Sequence, residues 1–348
     1  MRKPTLLIYG SSNHGALGWS YLNAFRALGY EATIFDQRDA AKHLTVYASN
    51  RIVHRLTIRS LAYRRAASRA WNQAIIDAVL TQKPDFFLII KGDWIMPETI
   101  ARIQQSGVKV FIFHPDTPFP TSGNYRPETV PSAKQCDVYF IWSRLLQAQL
   151  QSADVQQVEY LPFAWDADLF PHVENADHTY DHDVVFIGGW DSHRENTLTK
   201  VAAHYNLKIW GPDYWATRTQ RNSPLKQCWQ GRPVLSTEAS RILSRSKISL
   251  NILRQQNLPD GTNMRTFEQP GCGVFTLAND TLGATEIFPR DTACAYFQSD
   301  DGCLAQIERY LGNAKARVAM NRHAHDIVYS GHQYQQRAAQ IVQVFNNL

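Results

Sequence analysis

Short apolar runs alternate along the chain with stretches in which apolar residues recur every three or four positions. In the first half the runs are TLLIYG (5–10), EATIFD (31–36), PDFFLIIKG (84–92), KVFIFH (109–114) and DVYFIW (137–142). Each has strand length, and PDFFLIIKG is apolar without alternation, as expected of a parallel strand covered on both faces. Between the first two, Trp19, Leu22, Ala24, Phe25 and Leu28 fall at helical spacing, which predicts a helix over 18–28. Strand, crossover helix, strand, repeated, predicts a doubly wound α/β sheet.

The pattern breaks at 166, where the sequence turns polar and rich in His and Asp (DADLFPHVENADHTYDHD). Residues 166–182 are therefore expected to link two domains, 1–165 and 183–330. The alternation restarts with DVVFIGG (183–189), LKIWG (207–211), KISLNIL (247–253), GVFTLA (273–278) and ACAYF (293–297). A helix over 303–311 and a helical stretch over 314–347 follow, with 331–348 expected as a C-terminal helix. Two Rossmann-like halves in series predict a cleft between them, where ligands bind.

Composition narrows the class. The chain has 348 residues, 44% hydrophobic and 19% charged, a globular profile for two domains. A net charge of +5 argues for solubility as readily as for an anionic partner. No run of about 18 apolar residues exists, so no membrane span is expected. The N-terminal apolar run is too short for a signal-peptide core, and a cytoplasmic protein is expected. Five cysteines at scattered spacings form no C-x-x-C pair, which predicts reduced thiols and no metal site.

Ligands bind at the carboxyl ends of parallel strands, so the residues after each run are the candidates. After the first strand, Gly10 to Gly18 form a Gly-rich turn in which Ser12, His14 and Gly15 can meet a phosphate or a sugar, or form only a tight turn. After 109–114, the Pro-braced loop His114-Pro115-Asp116-Thr117-Pro118 displays an imidazole and a carboxylate. They suit general-base work on an acceptor hydroxyl, although Asp116 can equally cap a turn. After 183–187 come Gly188, Gly189 and Arg194, the last able to clamp a diphosphate or to be only a surface arginine beside a turn. The fourth segment is the most specific. Asp260 and Glu268 flank Gly261, Asn263, Met264 and Arg265 at the start of an expected helix. The acids can accept hydrogen bonds from sugar and ribose hydroxyls, and the exposed amides can meet a diphosphate.

MRTFEQPGCGVFTLAND resembles the donor-site segment of the GT-B glycosyltransferases, in particular the CgeB-like (spore maturation protein) group of the glycosyl transferases group 1 superfamily, with its R-x-F-E-x-x-A-C-G-x-x-x-L pattern. The resemblance implies that Glu268 binds the donor ribose and Asp260 the sugar, although Asp260 is one methylene shorter than the superfamily's glutamate. Gly283-Ala284-Thr285-Glu286 falls where the superfamily often has G-G-x-x-E. KPDFFLIIKGDWI, FIFHPDTP and FIGGWDSHRENTL also resemble segments of the group, with Thr117 in place of a second acid. The same landmarks are similar to those of the phage β-glucosyltransferase that modifies DNA bases. This likeness implies Asp116 as base, Arg194 on the diphosphate and Glu268 on the ribose. It further implies inversion; a retaining route with His114 supporting the sugar is the alternative. The implied fold is GT-B, two Rossmann-like domains facing across a cleft, with the C-terminal helix crossing back to the N-terminal domain. The implied enzyme is a hexosyltransferase-like, metal-independent glycosyltransferase with no bound cofactor, using a UDP-, GDP- or dTDP-sugar.

One feature points to the acceptor. Residues 51–69 hold six arginines and no acid, with Arg51, Arg55 and Arg59 stacked at i, i+4 and i+8 and Arg64 and Arg65 beyond. This stripe is either a solvated helix face or an attractor for DNA, a lipid-linked acceptor or an anionic membrane surface. Two other readings stand beside the glycosyltransferase: a phage-type DNA-base glycosyltransferase, marked by salt-sensitive duplex binding, and a non-catalytic nucleotide- or sugar-binding protein on the same scaffold. A dehydrogenase is disfavoured because neither half has a dinucleotide fingerprint.

Overall fold

The computed structural model describes residues 4–40, 61–120, 125–258 and 260–348. They form two compact units, Met1–Pro162 with Arg337–Leu348, and Phe163–Gln336.

In the first unit, β1 (Thr5–Gly10), β2 (Glu31–Asp36), β3 (Phe86–Ile90), β4 (Lys109–His114), β5 (Val138–Ile141) and β6 (Val158–Tyr160) make one sheet in the order β2-β1-β3-β4-β5-β6. Every pairing is parallel. The continuous apolar runs have their expected cause: Phe86 to Ile89 and Val110 to Phe113 are essentially inaccessible, because helices cover both faces. These helices include α1 (Leu17–Ala27), α2 (Leu61–Gln82), α3 (Pro97–Gln104), α4 (Thr129–Gln135) and α5 (Arg144–Ser152). The strand β6 has no counterpart in the sequence reading; three residues with one buried give too weak a pattern.

The second unit has the sheet order β11-β10-β9-β7-β8, built from β7 (His182–Ile187), β8 (Leu207–Trp210), β9 (Ser246–Asn251), β10 (Thr276–Asn279) and β11 (Ala295–Phe297), again parallel throughout. Its helices include α6 (Ser192–His204), α7 (Ser236–Ser244), α8 (Met264–Gly271), α9 (Leu282–Ile287), α10 (Asp300–Leu311) and α11 (Ala314–Gly331). Val184, Phe186, Leu198, Ile209, Trp215, Ile248, Leu250, Phe275 and Ile307 are the centre of its core.

Residues 166–182 group with the second unit, where Leu169 and Phe170 are buried and the Trp165 indole N–H donates to the Phe170 carbonyl at 2.8 Å. The C-terminal stretch is two helices, broken at His332: α11 belongs to the second unit, and α12 (Tyr334–Asn346) carries most of its length into the first. There Phe345 meets Phe86 at 4.8 Å between ring centroids and Phe111 at 6.2 Å, and buried Arg337 donates through Nε to the Pro162 carbonyl at 2.9 Å. Apolar contact against the amino ends of β3 and β4 thus fixes this last helix.

Candidate functional site

In the second sheet β8 lies on one side of β7 and β9 on the other, so the strand order reverses at β7, and such a switch point opens a crevice at the carboxyl ends of the adjoining strands. Gly188, Gly189 and Trp190 follow β7 there. The path is tight: a Cβ on Gly211 would lie 2.1 Å from the Gly188 carbonyl oxygen, to which the Trp215 indole also donates at 2.9 Å. Only glycine permits that approach.

Arg194, in the first turn of α6, reaches back into the crevice. Its Nη1 donates to the Gly189 carbonyl at 3.0 Å and its Nε to the Ile252 carbonyl at 2.8 Å. Arg265, from the first turn of α8, donates through Nε to the Ile187 carbonyl at 3.3 Å and pairs through Nη1 with Glu268. Arg254 follows β9 on the other side; a Cβ on Gly189 would lie 3.8 Å from its Nη2. Burial, reinforced by the like charges of Arg254 and Arg265, pulls the Arg194 guanidinium down to about 10, with Asp191 opposing. Arg194 and Arg265 rest on main-chain carbonyls with Arg254 close by, the like charges repel, and an anion relieves that repulsion. The fork geometry of arginine matches phosphate oxygens in particular.

Behind the arginines, α8 starts with a complete capping box. The Asn263 side chain accepts from the Thr266 amide at 2.9 Å, and the Thr266 hydroxyl accepts from the Asn263 amide at 3.1 Å. Asn251, at the end of β9, bonds both: its Nδ2 donates to Thr266 Oγ1 at 3.1 Å, and its Oδ1 accepts from Asn263 Nδ2 at 3.0 Å. The preceding loop is pinned to α9, with the Gly283 amide donating to the Asp260 carbonyl at 3.0 Å and the Thr281 hydroxyl to the Gly261 carbonyl at 2.8 Å. A Cβ on Gly283 would sit 2.4 Å from the Asp260 oxygen, so close packing, not a turn, explains this glycine. Asp260 and Glu268 are both buried. Burial raises the Glu268 carboxyl above its ordinary range, against the pull of Arg265.

The structure brings Gly188, Gly189, Arg194, Arg265 and Glu268 together at one edge, with Asp260, Gly261, Asn263 and Met264 in the loop and cap that start α8. Arg254 and Asn251 were missed in the sequence. Both stand at the end of KISLNIL, so the rule that ligands meet the carboxyl ends of strands would have found them.

In the first unit the corresponding edge carries a second cluster. His114 ends β4, is buried and lies stacked on Tyr139, with ring centroids 6.2 Å apart. Its Nδ1 is 2.8 Å from the Asp116 main-chain carbonyl. A carbonyl only accepts, so Nδ1 carries the proton and Nε2 the lone pair of a neutral ring. Burial lowers the His114 pKa, with Asp116 and Asp93 partly offsetting. His114 therefore stands behind Asp116 and holds its loop. Lys91 reaches the carboxylates of Asp116 and Asp93, each at 3.2 Å. Lys91 was not recognised in the sequence, because only the pairing of β3 with β4 brings it to Asp116.

A stability prediction follows from His114. Its folded pKa is depressed, so the unfolded chain binds more protons around the ordinary value of 6.5. Stability is full above that value and falls as pH drops through it towards the folded pKa. In urea titrations the loss of stability between pH 7.5 and 5.5 should be smaller in His114→Gln than in the wild type. An equal loss in both would contradict this.

The Gly-rich turn after β1 is less open than its sequence suggested. The Ser12 amide and hydroxyl both donate to Asp36 Oδ2, at 2.8 and 2.5 Å, and Arg38 pairs with the same carboxylate. His14 is exposed and Gly15 has φ of +88°. Arg51, Arg55 and Arg59, and the side chain of Arg64, lie outside the described residues; Arg65 is exposed. Among the described residues no helix is long and apolar enough to cross a membrane, no group of three or more His, Cys, Asp or Glu is placed to hold a metal ion, and all five cysteines are unpaired.

Over 99% of both chains, the structure matches sucrose-phosphate synthase from Thermosynechococcus elongatus with a TM-score of 0.70 at 12% identity. The fold is GT-B. The same GT-B architecture covers 99% of this chain and 100% of Anabaena HepE, solved in complex with UDP, with a TM-score of 0.66 at 9% identity. It also covers 99% of this chain and 99% of a UDP-forming α,α-trehalose-phosphate synthase from Burkholderia xenovorans, with a TM-score of 0.66 at 13% identity. Residues 194–343 match the family model described as Glycosyl transferase-like, which spans Arg194, Arg254, Arg265 and Glu268. Among curated protein sequences nothing matches this chain.

Proposed function

We propose that this GT-B protein is a glycosyltransferase that moves a sugar from a nucleoside-diphosphate donor to an acceptor hydroxyl. The observation that carries this reading is the convergence of Arg194, Arg254 and Arg265 at the switch point between β7 and β9, beside the start of α8. In this role the three guanidinium groups and the amides at the start of α8 take up the negative charge that develops on the departing diphosphate. Glu268 accepts from the ribose hydroxyls, and Asp260 faces the transferred sugar. In the first unit Asp116 takes the proton of the acceptor hydroxyl, while Lys91 and the main-chain bond from His114 fix its loop. Direct displacement with inversion is the route that an Asp116 base serves. HepE was solved with UDP and the Burkholderia synthase is UDP-forming, which favours UDP as the first nucleotide to try.

Arg254 gives the cleanest test, because it is exposed and carries no core packing. Arg254→Ala should weaken binding of the nucleoside diphosphate by about 10- to 100-fold, the worth of one charge-assisted contact. Binding of the parent nucleoside and the urea midpoint should not change. If nucleoside and diphosphate lose affinity alike, the arginine cluster does not bind phosphate.

A further inference from the structure

We propose that Lys91, Asp93, Trp94, Asp116 and Arg126 form the acceptor subsite of the first unit, and that its ligand is a carbohydrate. A pyranose ring would stack on Trp94 and present hydroxyls to Asp93 and Asp116. This rests on the glycosyltransferase reading above and names its acceptor class.

The backbone supplies the first argument. Lys91, Gly92 and Trp94 have φ of +74°, +77° and +69°, three left-handed residues within four positions. For Lys91 and Trp94 this conformation is strained and persists only where surrounding structure imposes it. Here the imposing groups are identifiable. The Lys91 amide donates to the Phe113 carbonyl at 2.8 Å and the Ile95 amide to the Gly92 carbonyl at 3.1 Å. Buried Asn72, on α2, clamps the far side: Nδ2 donates to the Trp94 carbonyl at 2.9 Å, and Oδ1 accepts from the Met96 amide at 2.9 Å and the Thr99 hydroxyl at 2.6 Å. Strained turns held in this way cluster at ligand-binding sites.

What it displays is the second argument. Trp94 keeps 45% of its surface open, and the Arg126 guanidinium lies 4.4 Å from its ring centroid. The Ser132 hydroxyl donates to the Ile95 carbonyl at 2.7 Å, which docks α4 against the same turn, with Glu128 one turn before Ser132. Asp93 Oδ1, Arg126 Nε and Glu128 Oε2 are buried without a hydrogen-bond partner among the described residues. Lys91 and Asp93 follow β3 and Asp116 follows β4, so Trp94 stands next to charged groups at the carboxyl ends of two parallel strands, where ligands bind. An apolar ring face beside carboxylate acceptors and cationic donors suits a sugar, which has C–H faces and hydroxyl edges. Asp93 and Asp116 offset the charges of Lys91 and Arg126, so the corner has no net positive charge to draw a phosphate backbone and favours a neutral carbohydrate over DNA.

Saturation-transfer NMR with methyl α- and β-pyranosides of glucose, galactose and mannose tests this, run on the wild type, Trp94→Ala and Trp94→Phe, with calorimetry of UDP, GDP, dTDP and ADP alongside. At least one pyranoside should show ring-proton saturation in the wild type. It should fall at least fivefold in Trp94→Ala and be largely kept in Trp94→Phe, with nucleotide affinity equal in all three. Equal saturation in Trp94→Ala overturns the subsite, as does salt-sensitive binding of a 30-base-pair duplex with no pyranoside bound. Sugar bound at Trp94 with no nucleotide bound would instead sink the donor reading and leave this subsite standing.

Discussion

Asp116→Asn is expected to lower the rate of sugar transfer by about 10²- to 10⁴-fold, the range that loss of a general base spans. Asparagine keeps the size of the side chain and the main-chain carbonyl to which the His114 ring donates, so the loop after β4 survives. What disappears is the carboxylate and its 3.2 Å pair with Lys91, a partly exposed ion pair that contributes about 0–1 kcal/mol. The signature is therefore a fall in turnover with unchanged nucleotide affinity and an unchanged urea midpoint. Release of nucleoside diphosphate in a coupled assay measures it. A rate within a few-fold of the wild type would remove Asp116 as the base and return attention to the retaining alternative, with His114 beside the sugar.

Arg265→Ala should damage both binding and folding. The arginine is the ion-pair partner of Glu268, whose carboxylate is almost wholly buried. Breaking a buried pair by removing one member typically costs about 3–5 kcal/mol, because the other charge is left unmatched. Glu268 limits the loss by taking up a proton. Its pKa is already raised by burial, and without Arg265 it rises further. A raised carboxyl makes the folded state the better proton binder, so the variant should lose stability as pH rises above the ordinary carboxylate range. The double variant Arg265→Ala with Glu268→Gln should recover part of the stability at pH 7 and none of the nucleotide binding. Restored binding in the double variant would show that Arg265 serves only to neutralise Glu268.

The sheets were the legible part of this chain. Strands such as FFLII and VVFI, covered on both faces, can only be continuous apolar runs, and that is how they stand in the sequence. Glu268 and Arg265 stand out in one local segment of the sequence, and in the structure they pair within α8. Contacts made by pairing across the sheet were not legible. Arg254 meets Arg194 only because β9 neighbours β7, and Lys91 meets Asp116 only because β3 neighbours β4. Trp94 shows why local pattern runs out: its left-handed backbone depends on Asn72, 22 positions earlier. The polar stretch 166–182 reads as a linker because its surface residues outnumber Leu169 and Phe170, which are buried and group it with the second unit.

The most direct test of the donor site is calorimetric titration of UDP, GDP, dTDP and ADP into the wild type and Glu268→Gln, at pH 7.5 and low salt. One nucleoside diphosphate should bind the wild type in preference to the rest and lose at least tenfold in affinity in the variant, where a neutral amide with one acceptor oxygen replaces the two acceptor oxygens of the carboxylate. Failure of all four to bind, or equal affinity in the two proteins, would contradict a nucleotide-sugar site at Arg194, Arg254, Arg265 and Glu268.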